Sequence, residues 1–128
     1  TCDCIVFTFR NNSLVNRKPE MYGWVRVDDE NNIEEVSVKV PISDDPINDH
    51  AVVGAFWFKE GATMVEASEA LIRKNIRVNN EFYVDSIINE LLKMGKTAKV
   101  FEIDYYVGWG TPNAVRVYQY WESFVKNQ

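Results

Sequence analysis

The sequence has no basic run and carries a net charge of −5. A nucleic-acid surface, which needs clustered lysine and arginine, is therefore excluded as an expectation. No apolar stretch is long enough to span a bilayer, and no signal-peptide pattern occurs. Membrane insertion is not expected, and a cytoplasmic setting is. Cysteine is scarce too: Cys2 and Cys4 only. On one strand those two point to the same face, where a bridge would be strained. Reduced thiols fit a cytoplasmic protein. The one histidine, His50, lies far from them in sequence, so a four-ligand zinc site is not expected.

What is present suffices for one domain with a core. The chain has 128 residues, 46% of them hydrophobic. Residues 4–9, "CIVFTF", read as a strand rich in β-branched and aromatic side chains. The polar stretch "RNNSLVNRKPE" reads as an exposed loop. Tyr22–Val27 and Ile33–Val40, joined by "DDENN", alternate as a β-hairpin with one buried face. "HAVVGAFWF" is nearly continuous in apolar residues and predicts a central strand buried on both faces. Gly54 in its middle marks either a bulge or the close approach of a ligand or another backbone.

Two helices follow in the pattern. Thr63 and Glu66 have capping-box spacing, with Val65, Ser68, Leu71, Ile72 and Asn75 on one face. The next starts near Asn80, with a stripe of Val84, Ile87, Ile88, Leu91 and Leu92 and with Gly95 as its C-terminal cap. "AKVFEI" is a short strand. Then comes "DYYVGWGTPN", residues 104–113. Thr111 is an N-cap residue type and Pro112 suits the first helical position. Ala114, Tyr118, Trp121 and Val125 form a stripe by which that last helix would dock. The order of strand, hairpin, strand, two helices, strand and helix predicts an α/β fold with a mixed sheet flanked by helices, as a single domain over 1–128.

Several stretches resemble, in order, the sugar-phosphate nucleotidyltransferases. "MYGWVRVDDENNIEEVSVKVP" resembles their Tyr-Gly-hairpin-Lys-Pro segment, and "VVGAFWFK" their glycine-containing strand. "NNEFYVDSIINELLKMGKTAKVFEID" is similar to their Glu-containing helix and following strand. "YYVGWGTP" resembles their closing Trp-x-Asp-x-Gly-Thr. The "WGTPN" followed by "YW" is similar to the nucleotidyltransferase-like proteins of capsule and surface-polysaccharide biosynthesis. The family's glycine-rich Arg/Lys loop and its first metal-binding Asp have no counterpart here, and that role is not carried to Asp3. The resemblance thus implies the C-terminal, sugar-binding half of a Rossmann-like, GT-A-like nucleotide-diphospho-sugar transferase domain.

Residue by residue, the resemblance implies a sugar-phosphate contact for Lys39, and a strand-end ammonium suits a phosphate. It implies bare backbone for a sugar at Gly23 and Gly54, and hydroxyl binding for Glu81. Trp109 would wall one side of the pocket or anchor the core. Each also has a structural alternative: Lys39 as a solvated hairpin lysine, Glu81 as a first-turn glutamate favoured by the helix dipole. Two departures stand out. Val38 occupies the position of the family glutamate before the lysine, and Gly108 that of the second metal-binding Asp. Glycine offers Mg²⁺ no side-chain oxygen. Asp104 could replace it only along a changed backbone path.

For a full-length parent the resemblance implies Mg²⁺, a sugar phosphate and a nucleoside triphosphate, and transfer of a nucleotidyl group onto a small phosphate. This chain alone is expected to be inactive. The alternatives are a non-catalytic sugar-phosphate-binding module, or an interaction module using the aromatic last helix. An incomplete sheet would leave "CIVFTF" as an exposed edge and allow self-association.

Overall fold

The computed structural model describes all residues, Thr1–Gln128. Strands β1 (Cys4–Phe9), β2 (Gly23–Val27), β3 (Ile33–Val38), β4 (His50–Phe58) and β5 (Ala98–Glu102) form one sheet in the order β3-β2-β4-β1-β5. Helices α1 (Gly61–Arg73) and α2 (Val84–Lys93) follow β4, and α3 (Pro112–Lys126) closes the chain. β1 runs antiparallel to β4 and parallel to β5, so the sheet is mixed and the fold is α/β, as expected. No helix is long and apolar enough to cross a membrane.

The main core lies under α1 and α2. Cys4 and Val6 of β1 meet Val25, Val36 and Val38 of the hairpin and Ala67, Leu71, Ile87, Ile88 and Leu91 of the helices. A second cluster gathers Phe9, Val15, Trp24 and Ala51. There Trp24 donates from Nε1 to the Pro19 carbonyl at 2.8 Å, and Phe9 stacks on Tyr106 with centroids 3.9 Å apart. The hairpin is thus buried on both faces at its start, since Gly23, Trp24 and Val25 are all buried. One buried face was expected. The stretch after β1 is also less open than expected, because a short 3-10 turn, Ser13–Asn16, tucks Val15 inside.

Three sequence expectations fail for tertiary reasons. β1 is not an edge: it lies between β4 and β5. β4 is not buried on both faces; burial ends after Val52, and Gly54, Ala55 and Trp57 are exposed. The hairpin pairs with β4 only at His50 and Ala51 before leaving it. From Val52 onward that side of β4 has no neighbouring strand. α3 begins as expected, with the Thr111 hydroxyl accepting from the Ala114 amide at 3.1 Å and Pro112 in the first turn. Its stripe does not dock, and none of its residues is buried.

The first two helices also start elsewhere. α1 starts at Gly61, so Thr63 lies inside it and is buried. The inward face is Thr63, Ala67 and Leu71, while Val65 and Ile72 face water. α2 starts at Val84 rather than Asn80, because Asn79 and Asn80 take left-handed backbone angles that a helix cannot contain. Val84 itself is exposed. Gly95 ends α2 as expected: at φ +79° it lets its own amide reach Leu92 O and the Lys96 amide reach Leu91 O.

Glu90 of α2 is almost fully buried, and its carboxylate bridges Lys74 at 2.7 Å and Lys93 at 3.1 Å. The Lys74 hydrogen bond holds its pKa below the usual carboxylate value. A depressed pKa contributes stability above the unfolded value that is lost as pH falls through the folded one. Glu90→Ala should therefore cost about 1–3 kcal/mol at neutral pH. Urea unfolding should show that deficit shrinking once the wild-type carboxylate is protonated.

Candidate functional site

The local backbone around Lys39 is unusual. β3 stops at Val38 because Lys39 is left-handed, at φ +63°. The strand was expected to run to Val40. A non-glycine residue pays about 1 kcal/mol for that region. Its amide is held by the Tyr22 carbonyl at 3.0 Å. Its ammonium turns back across the hairpin and donates to the Met21 carbonyl at 2.5 Å, with the Tyr83 ring 5.5 Å away. The lysine is thus fixed at the open end of the hairpin, where Gly23 pairs with Val38.

α2 brings the opposite wall. Asn89 grips the edge of β3 with both ends of its carboxamide: Oδ1 accepts from the Val36 amide at 2.8 Å, and Nδ2 donates to the Val36 carbonyl at 2.7 Å. Asp85 lies four residues earlier, one turn along the same helix face. Its carboxylate rests on Gly23, where an added Cβ would collide with Asp85 Oδ2 and lie 3.1 Å from Val52 Cγ2. Burial pushes the Asp85 pKa up, and Lys39 partly offsets this. Glu81 lies two residues before Tyr83, just ahead of α2, and its carboxylate raises the phenol pKa.

The structure therefore groups Lys39 and Gly23 with Tyr83 and Asp85, while Glu81 is exposed two residues before Tyr83 and has no hydrogen bond or ion pair to Lys39. Gly54 lies two residues beyond Val52, in the bulge of β4, exposed and at φ +105°. A Cβ there would meet nothing within 4 Å, so it is the angle and not crowding that asks for glycine. Trp109 is exposed and meets Tyr118 edge-on at 5.1 Å, so it is no core anchor. Asp104 lines a different hollow, with Arg10, Asn12 and Ser13. No three acidic, histidine or cysteine side chains converge in a way that would hold a metal. Asp104 offers Mg²⁺ one exposed carboxylate, and Gly108 adds none.

Sequence reasoning missed Asp85 and Tyr83. In "EFYVDSIINE" Asp85 and Asn89 share one helix face, but polar residues so spaced more often face water, so the pattern alone does not single them out. His50 is also polar and buried. Its Nδ1 lies 2.8 Å from Thr8 Oγ1, and burial, followed by the Arg10 charge, lowers its pKa. It is a satisfied neutral side chain. Cys4, with its thiol pushed up to about 12 mainly by burial, is inert packing.

No protein-family model matches the chain, and no curated sequence does. Solved structures do. A nucleoside-diphosphate-sugar pyrophosphorylase from Vibrio cholerae RC9 superposes with a TM-score of 0.73 at 16% identity. That match covers 91% of this chain and 46% of the other. A CMP:2-keto-3-deoxy-manno-octonic acid synthetase, solved with CTP, gives a TM-score of 0.56 at 11% identity, over 96% of this chain and 50% of the other. The chain shares the fold of these nucleotidyltransferases. It spans about half their length.

The packing of Asp85 on Gly23 can be checked by coupling. Gly23→Ala should cost about 1–2 kcal/mol through overpacking. Asp85→Ala in the same chain should relieve most of that. Gly54→Ala, which strains the backbone in open space, should lose about 1–2 kcal/mol that Asp85→Ala does not restore. Thermal unfolding of the single and double variants gives the coupling energies.

Proposed function

We propose that this chain is the sugar-phosphate-binding, C-terminal half of a nucleotidyltransferase-like domain. In the full-length parent it would serve transfer of a nucleotidyl group from a nucleoside triphosphate to a sugar phosphate or a similar small phosphate. The observation that carries the reading is the Lys39 cluster: a fixed ammonium at the open end of the hairpin, the Asp85 carboxylate seated on buried Gly23, and Glu81 near Tyr83. A phosphate wants the cation, and sugar hydroxyls want carboxylate acceptors. The shared fold supports the reaction class, and the "WGTPN…YW" likeness supports a role in capsule or surface-polysaccharide synthesis in the cytoplasm.

The half-domain reading rests on two observations. The chain covers 46% and 50% of the two solved chains. One side of β4 has no strand beyond Ala51. The substrate's own phosphate would be the nucleophile, so no protein nucleophile is required. What this chain contributes is positioning and charge through Lys39. Mg²⁺ would neutralise the triphosphate in the parent, and most of its ligands would come from outside these residues, since they do not supply a set. A binding module without catalysis remains the second reading, favoured by Gly108 at the metal position.

Incubation of the 128-residue chain with nucleoside triphosphates, sugar phosphates and Mg²⁺ should release no pyrophosphate. Robust release would overturn the half-domain assignment. Calorimetric titration should show binding of a sugar phosphate, and Lys39→Ala should weaken it by about 1.5–3 kcal/mol, the worth of a charged hydrogen bond. The free sugar should lose less. Equal affinity in mutant and wild type removes Lys39 from the site. The open side of β4 should also drive concentration-dependent association in sedimentation. A clean monomer at high concentration, with slow amide exchange over residues 53–58, counts against an incomplete sheet.

A further inference from the structure

The Lys39 site contains a charge that a plain phosphate pocket does not want. Asp85 is seated on Gly23, two residues from the Met21 carbonyl to which the Lys39 ammonium donates and two residues beyond the Tyr83 ring that this ammonium lies over. Beyond its own backbone amide, no residue hydrogen-bonds the Asp85 carboxylate. It is half-buried, seated on Gly23 and held there by the Asn89 grip on Val36 one turn along α2. A phosphate bound at Lys39 would meet this carboxylate too. Like charges at short range repel strongly in a partly desolvated site. The repulsion is removed when the ligand itself brings a strong donor between the phosphate and Asp85. A hydroxyl does this weakly and an ammonium does it well.

We propose that Asp85 is a specificity-determining residue, and that the site takes a phosphate ester bearing an ammonium group beside the phosphate in preference to its hydroxyl analogue. The proposal rests on the sugar-phosphate reading of Lys39 and narrows its ligand. Lys39 holds the phosphate end. Asp85 accepts from the ligand's ammonium. Gly23 matters because any side chain there would move the carboxylate out of place. The competing role for Asp85 is purely structural, as a first-turn acid that favours the start of α2. That role predicts no difference between ligands.

The test compares glucosamine 1-phosphate with glucose 1-phosphate by calorimetric titration at neutral pH. Wild type should bind the amino sugar phosphate about tenfold more tightly, as a charge-assisted hydrogen bond requires. Asp85→Asn should bring the two ligands to within about twofold. Asp85→Ser, which withdraws the side chain, should do the same, and it stands in if the asparagine variant melts early. Equal wild-type affinities for the two ligands would overturn the inference while leaving the Lys39 reading intact. Persistence of the preference in either folded variant would also overturn it. Binding of neither ligand to wild type would overturn the Lys39 reading and this inference together.

Discussion

The two hydrogen bonds between the Asn89 carboxamide and the backbone of Val36 fix everything that the candidate site depends on. A carboxamide can donate and accept at once, so it satisfies both backbone groups of one residue on a strand edge. That leaves β3, the outer strand of the sheet, closed to other strands at Val36. It also sets the register of α2 against the hairpin. Helical geometry does the rest: one turn back, Asp85 falls over Gly23, and the chain leading into α2 brings Tyr83 against Lys39. Without that grip the apolar face of α2 still buries Ile87, Ile88 and Leu91, yet apolar packing alone tolerates sliding. The polar clamp supplies position where the hydrophobic effect supplies mainly adhesion.

The same molecule is unevenly finished. Its hairpin, α1, α2 and one face of β1 make a closed core with no buried side-chain polar atom left unpaired. Elsewhere large apolar groups face water: Trp57 and Phe101 on the sheet, Tyr120, Trp121 and Phe124 on α3. The open side of β4 lies beside Trp57. Patches of that kind on a stable chain mark surfaces that meet other polypeptide. The solved chains that share this fold are about twice as long. Half of a larger sheet would leave such surfaces bare.

What the sequence made legible was whatever is decided locally or by clear period. The mixed α/β order, the hairpin, the Thr111 cap and the Gly95 stop follow from backbone preferences of a few residues, while at Gly54 the sequence left a bulge and a close approach open and the structure shows the bulge. The failures share a different cause. β1 is internal because β4 and β5 pair with its two sides, and the hairpin pairs with β4 only at His50 and Ala51; both are long-range pairings. The hairpin's departure after Ala51 has no local signature. Lys39, Gly23 and Glu81 could be picked out by motif. Asp85 could not, because its importance comes from what it touches across 62 residues of chain on the Gly23 backbone. Trp109 and Asp104 were read from one short motif and lie apart from the Lys39 group: one packs on Tyr118, the other borders the Arg10 hollow.

This division bears on chemistry. The Lys39 group draws on Met21, Gly23, Lys39, Tyr83 and Asp85, which belong to the hairpin and the start of α2, the part of the molecule with the finished core. The stretch from Asp104 to Gly110 is mostly exposed and leads into a helix with no buried residue. A helix of 15 residues with a good cap is still only marginal in water on its own. Its placement must come from a surface it meets, and the metal end of a reaction centre built there would be no better ordered than that contact. On the proposed reading, holding a sugar phosphate is then a property of this chain's core. Transfer of the nucleotidyl group is not, because it needs the triphosphate, the metal and the last helix brought to the same place. Binding and catalysis become separable for a physical reason: one site is formed by packing already complete, the other waits for a partner surface.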